Sequence, residues 1–165
     1  MEGEGMKGSQ IRLKLLLDRL NISSDISTLE DRKRVQKAVY LGQKAGVDLG
    51  YQYGWYIMGP YSPELTQDYF ILGSDISKGD ISYKEYVLID ELNQRLDAIK
   101  ELLLPPSNVP LQQADWLELL ASIVYLLDYQ NLKDSRSKIQ NKKPHLLDYF
   151  DTALSALKKY RIIST

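Results

Sequence analysis

The chain has 165 residues, 44% hydrophobic and 26% charged, with a formal net charge of −1. That balance is globular, is long enough for one real core, and leaves no global electrostatic pull toward nucleic acid or an anionic membrane. With no cysteine and a single histidine, His145, the chain excludes disulfides, a thiol nucleophile, thiolate zinc sites and any two-histidine mechanism of its own.

Met1 to Gln10 is polar and Gly-rich and lacks the apolar core of a signal peptide, so it reads as a flexible lead-in. No apolar run approaches the roughly 20 residues that a membrane span needs. The expectation is a soluble, cytoplasmic protein with no membrane partner. Ile11 to Leu20 is dense in Leu and reads as a first helix, ended by Asn21 and a polar turn. Ser27-Thr28-Leu29-Glu30 has the form of a capping box with Ser27 as cap. The helix it opens runs to about Lys44, with Val35, Ala38, Val39 and Gly42 on one face.

Leu49 to Met58 is rich in Tyr and Trp and predicts a strand, with Gly54 marking a bulge or a close backbone approach. Gly59-Pro60 is a turn signal. Ser62-Pro63-Glu64 predicts a helix start, with Ser as cap, Pro at the first position and an acid near the positive end. That helix reaches about Leu72, and Gly73 to Gly79 reads as a loop. A second capping box, Ser82 to Glu85, opens a long amphipathic helix from about Tyr83 to Leu104. Pro105, Pro106 and Pro110 break the chain. Gln112 to Tyr129 is apolar over a wide stripe and predicts a central helix buried from more than one side. Asn131 to Asn141 reads as a short basic helix, and Pro144 opens a last one with Leu147, Phe150, Leu154 and Leu157 facing inward.

The expected fold is mainly α. A single helical domain over residues 11–165 holds six or seven helices and one or two short strands near residues 49–58. A winged-helix-like arrangement and a sub-domain break at 105–111 are both compatible with that order.

No phosphate-cradling Gly loop and no nucleophile elbow is present. His145, Asp148 and Asp151 form the one set spaced for metal or acid–base work, but acids near a helix start ordinarily serve the dipole. No catalytic residue, metal ligand or cofactor is assigned, and the chain is read as a non-enzyme.

The stretch Arg32 to Leu65 carries the most information. A Gln-Lys pair and a Tyr on a helix lead into an aromatic strand, a Gly-Pro turn and a new helix. Read plainly, the turn redirects the chain and the rings pack. Read functionally, it is a recognition edge that offers ring faces and Tyr hydroxyls to a partner. The pattern Q-K-x-x-Y-L followed by W-Y-x-x-G-P-Y-S-P-E-L resembles the YwgA-like proteins. It is also similar, more distantly, to the phage-associated Panacea domain found in antitoxins of toxin–antitoxin pairs. The residues that carry the resemblance and form the candidate partner-binding motif include Gln36, Lys37, Tyr40, Trp55, Tyr56, Gly59, Pro60, Tyr61 and Glu64. The resemblance implies a small helical cytoplasmic protein and, in the antitoxin branch, binding to a toxin.

Basic residues cluster twice. Arg32, Lys33, Arg34 and Lys37 crowd the second helix. Lys133, Arg136, Lys138, Lys142 and Lys143 lie on and after the short helix near the C-terminus. A helix-turn-helix within 131–160 would set the second group against phosphates. The leading expectation is therefore a non-enzymatic protein-interaction or regulatory module, for which the more distant resemblance implies an antitoxin-like role. The alternative is a DNA-binding regulator. The wide apolar helices also allow a homodimer.

Overall fold

The structure, a computed structural model, describes residues 5–164. Part of the expected lead-in, residues 1–4, lies outside that range. The rest of it is not free. Helix α1 (Gly8–Arg19) begins three residues before Ile11, and Met6 and Gln10 are buried. The Gln10 amide donates to Asp68 Oδ1 at 2.9 Å, which ties this end of the chain down.

Among the described residues there are seven α-helices and one two-stranded antiparallel sheet, a mainly α architecture. Helix α2 (Leu29–Lys44) is capped one residue later than Ser27 and Glu30 suggested. Thr28 Oγ1 accepts from the Asp31 amide at 3.0 Å, and the Asp31 carboxylate accepts from the Thr28 amide at 3.1 Å. Ser27 instead donates its hydroxyl to Asp25 at 2.6 Å.

The strand expected over Leu49 to Met58 is shorter and shifted. β1 (Gly54–Tyr56) pairs with β2 (Gly59–Tyr61), with Ile57 and Met58 at the tip, so the turn expected at Gly59-Pro60 falls two residues earlier and those two residues open the second strand. Residues 49–53 form no strand: Gly50 has φ of +88°, and at Tyr51 a side chain takes the place of a neighbouring strand. Gln43 donates its amide N–H to the Tyr51 carbonyl at 3.1 Å, and its amide oxygen accepts from the Tyr51 amide at 3.0 Å. The hairpin packs onto α2 and onto the helix over Gln113–Tyr129, so it is not a free wing.

Helix α3 (Pro63–Ser77) starts at the expected Ser62 cap but runs through the expected loop at Gly73. A Cβ at Gly73 would lie 3.3 Å from Ile26 Cδ1, so the glycine lets the helix continue against the 21–28 turn. The long helix expected over 83–104 is broken. Ser82–Glu85 and Glu101–Leu103 are 3-10 turns, and only α4 (Asp90–Ile99) is α-helical. Tyr86, Val87 and Ile89 are aromatic and β-branched residues that disfavour helix, and the backbone at Tyr86 and Ile89 is extended.

Helix α5 (Gln113–Tyr129) is central, as its wide stripe predicted. It packs against α2, β2, α6 (Leu132–Lys142) and α7 (Phe150–Lys159). Trp116 is fully buried and donates its indole N–H to the Leu102 carbonyl at 2.9 Å, which holds the 101–103 turn against the helix. Pro144 opens a 3-10 stretch, Pro144–Tyr149, before α7 rather than an α-helix. No described helix is long and apolar enough to cross a membrane.

A hairpin clasped by buried lysines

Most of the motif residues turn inward. Gln36, buried on α2, clamps the start of α3. Its amide oxygen accepts from the Ser62 amide at 2.9 Å, and its amide nitrogen donates to the Ser62 carbonyl at 2.9 Å and to Thr66 Oγ1 at 3.0 Å. Lys37, one turn away from Lys33 on the same helix, is 1% exposed and donates to the Pro60 carbonyl at 2.6 Å. The proline has no N–H to give the ladder, and its carbonyl is the group that α2 grips.

Lys143 reaches the other end of the hairpin. Its ammonium donates to the Ile57 carbonyl at 2.6 Å and to Glu118 Oε2 at 2.6 Å, and it sits 5.5 Å from the centre of the Trp55 ring. Glu118, on α5, also accepts from Lys33 at 2.8 Å, and Lys33 donates to Asp115 at the same distance. Two ammonium groups, Lys33 from α2 and Lys143 from the α6–α7 junction, thus pair with two carboxylates on α5 beneath the hairpin, and Lys37 feels the Glu118 charge without bonding to it. Glu118 was missed in the sequence, although a lone acid inside Trp116-Leu117-Glu118-Leu119-Leu120 was a signal.

Burial governs the titration here. It pushes Lys37 down to about 7, against the attraction of Glu118 and with the help of the Lys143 and Lys33 charges. For Lys33 burial also pulls downward, but hydrogen bonds to Asp115 and Glu118 outweigh it and the net shift is upward.

The aromatic residues divide. Tyr40 is buried and meets Tyr53 edge-on at 5.0 Å, and burial raises the pKa of both phenols. Trp55 is half-buried against Tyr125 at 5.7 Å. Tyr61 is half-buried and accepts from Thr66 Oγ1 at 2.5 Å, while Tyr56 is half exposed and lies edge-on to Tyr61 at 5.1 Å. Glu64 is exposed in the first turn of α3, where its carboxylate accepts from the Ser62 hydroxyl at 3.0 Å.

Gly59 has φ of +92°, and a Cβ there would lie 2.5 Å from Ser122 Oγ, so only glycine fits. Gly59→Ala is expected to cost about 2 kcal/mol from backbone strain and the clash together, a fall of roughly 4–8 °C in the melting temperature. Adding Ser122→Ala should recover only the steric share. A Gly59→Ala variant as stable as the native chain in thermal denaturation would contradict this account of the strand's first residue.

The C-terminal basic group does not form one surface. Lys143 is buried in the ion pair just described and is not available to phosphate, which corrects its assignment as a nucleic-acid contact. Arg136 pairs with Asp151 and stacks over Phe150 at 4.4 Å. Lys133 and Lys142 are exposed and Lys138 is half-buried. The six-residue 3-10 stretch between α6 and α7 is longer than the turn of a helix-turn-helix.

Beside the hairpin lies a groove of about 490 Å3 between α2, the hairpin tip and α3. Arg32, Lys33 and Lys37 line it from α2, Tyr56 and Ile57 from the hairpin, and Tyr69 and Phe70 from α3. Ile57 is 92% exposed at the tip, and Leu29 and Phe70 are exposed at the rim. Among the described residues no three His, Asp or Glu side chains converge as metal ligands.

These features define a small mainly α protein in which a charged clasp beneath a β-hairpin supports an exposed apolar groove. The chain is similar to uncharacterized protein YwgA of Bacillus subtilis (strain 168), 25% identical over 158 residues that cover 87% of this chain and 95% of that protein. No family model matches the chain, and no solved structure matches it.

Proposed function

We propose that this protein is a non-enzymatic interaction module whose partner-facing surface is the groove between α2, the hairpin tip and α3. One observation carries the reading. The Ile57 side chain is almost fully exposed, yet its own backbone carbonyl and that of Pro60, three residues on, are held by buried lysines. A branched apolar side chain at a tip has no folding role, and a tip anchored in this way is preorganised for contact. Tyr56 and Phe70 beside it are each 50% exposed, and such rings are frequent binding anchors.

The motif is therefore a scaffold and a surface at once. Gln36, Lys37, Gly59 and Pro60 hold the hairpin, and Tyr56 and Ile57 present it. The absence of cysteine suits a reducing cytoplasm. The distant resemblance to Panacea antitoxins makes a toxin the first partner to look for.

Ile57→Asp is the test. It should change folding stability by no more than about 0.5 kcal/mol, because the side chain buries almost nothing. It should abolish capture of a stoichiometric protein partner in a nuclease-treated pull-down from the native host. A partner held equally by both forms would place the interface elsewhere on the molecule.

A further inference from the structure

The groove's charge is unbalanced. Among the residues that line it there are three cations and no carboxylate. Lys33 is neutralised by Asp115 and Glu118. Arg32 and Lys37 have no carboxylate partner among the described residues. Arg32 uses only Nη1, donating to the Ile26 and Ser27 carbonyls at 2.9 and 3.4 Å, so Nε and Nη2 keep free donors. Lys37 spends one of its three hydrogens on Pro60. A guanidinium with one open edge, lining an otherwise apolar groove that holds no carboxylate, is a receptor for one. The apolar rim continues outward over Leu29, Tyr56, Ile57 and Phe70, beyond what a small anion would cover.

We infer that the segment docking in this groove is an apolar stretch of a partner protein carrying an acidic side chain, whose carboxylate is bound by Arg32 in the groove that Lys37 also lines. This rests on the docking reading above. Binding then brings an anion to Lys37 and draws its proton back. The charged groups acting on Lys37 are Lys33 on its own helix, Glu118 on α5 and Lys143 before Pro144, while Arg32 of α2, Tyr56 and Tyr61 of the hairpin and Tyr69 of α3 line the same groove.

The experiment selects a random 12-residue peptide display library on the full chain, with counter-selection on Ile57→Asp. Sequences that combine large apolar residues with Asp or Glu are expected. A synthetic peptide of that kind should bind Arg32→Gln about tenfold or more weakly. Changing its acid to the amide should cost the native chain the same factor and Arg32→Gln almost nothing. Arg32→Lys, which keeps the charge but not the fork, serves if Arg32→Gln does not fold. Enrichment of neutral or basic sequences overturns the inference and leaves the docking reading standing. No sequence that prefers the native chain over Ile57→Asp removes the docking reading itself. Binding of 4-phenylbutyrate as tight as the peptide makes this a small-molecule pocket. A native dimer split by Ile57→Asp in sedimentation makes the occupant a second copy. Either result overturns the inference.

Discussion

Unfolding free energy is expected to rise between pH 7 and pH 10 by up to about 1.4 kcal/mol per pH unit, and Lys37→Met is expected to abolish that rise. The sign follows from burial. In the folded chain Lys37 is pushed down to about 7 from the 10.5 of an ordinary lysine. Below pH 7 both states carry the proton and the cost of burying the charge is present in full. Between the two pKa values the unfolded chain still binds a proton that the folded chain has released. Each increment of pH therefore removes an advantage of the unfolded state. Across the window the gain is bounded at roughly 4–5 kcal/mol, and relaxation around the ammonium will lower it. Above pH 10 the trend reverses. Burial raises the pKa of Tyr40, Tyr51 and Tyr53, so the unfolded chain loses those protons first and stability falls. Urea denaturation at pH 6 to 10 reads the slope directly. The slope is the quantity to compare, because Lys37→Met also leaves the Pro60 carbonyl without a donor and shifts the absolute value. A native chain with flat stability from pH 7 to pH 10 would show that Lys37 keeps its proton when folded.

Glu118→Ala is expected to cost about 3–5 kcal/mol. Glu118 is 4% exposed and is the carboxylate shared by Lys33 and Lys143. Without it Lys33 retains Asp115, but Lys143 is left with a backbone carbonyl and no counter-charge. An unpaired buried charge is far more costly than the pair is favourable. The double variant Glu118→Leu with Lys143→Met should therefore lose much less than the sum of the two single changes, with a coupling of about 2 kcal/mol or more. Urea is the denaturant to use, since guanidinium screens charge. Single-variant losses under about 1 kcal/mol that add without coupling would mean that water reaches the pair.

Elements written as local patterns were legible. The central helix over Gln113–Tyr129, the Ser62-Pro63-Glu64 start of α3 and the end of α2 near Lys44 follow from periodicity, capping and turn chemistry. The errors lie where a distant partner decides. Residues 49–53 have the composition of a strand, but Gln43 occupies the backbone groups that a strand would need. Gly73 signals a break and is instead a packing contact with Ile26. Residues 86–89 keep helical spacing of apolar residues, yet their shapes favour an extended chain and only Leu88 is buried.

The sequence by itself determined the class of this protein: a mainly α chain with an aromatic, strand-forming segment between its second and third helices, and no disulfide or thiol chemistry. Those properties depend on composition and on neighbours within a few residues, where sterics and periodicity act. Only the tertiary structure decided what the charged and aromatic residues do. Lys37 and Lys143 are 106 positions apart in number and carry the same surface chemistry in the sequence, yet both end buried beneath one hairpin around Glu118. Lys142, next in the chain, stays in solvent. Whether an ammonium is a solvated face, a structural clasp or the floor of a groove depends on which groups surround it, and helix packing brings those groups from distant parts of the chain.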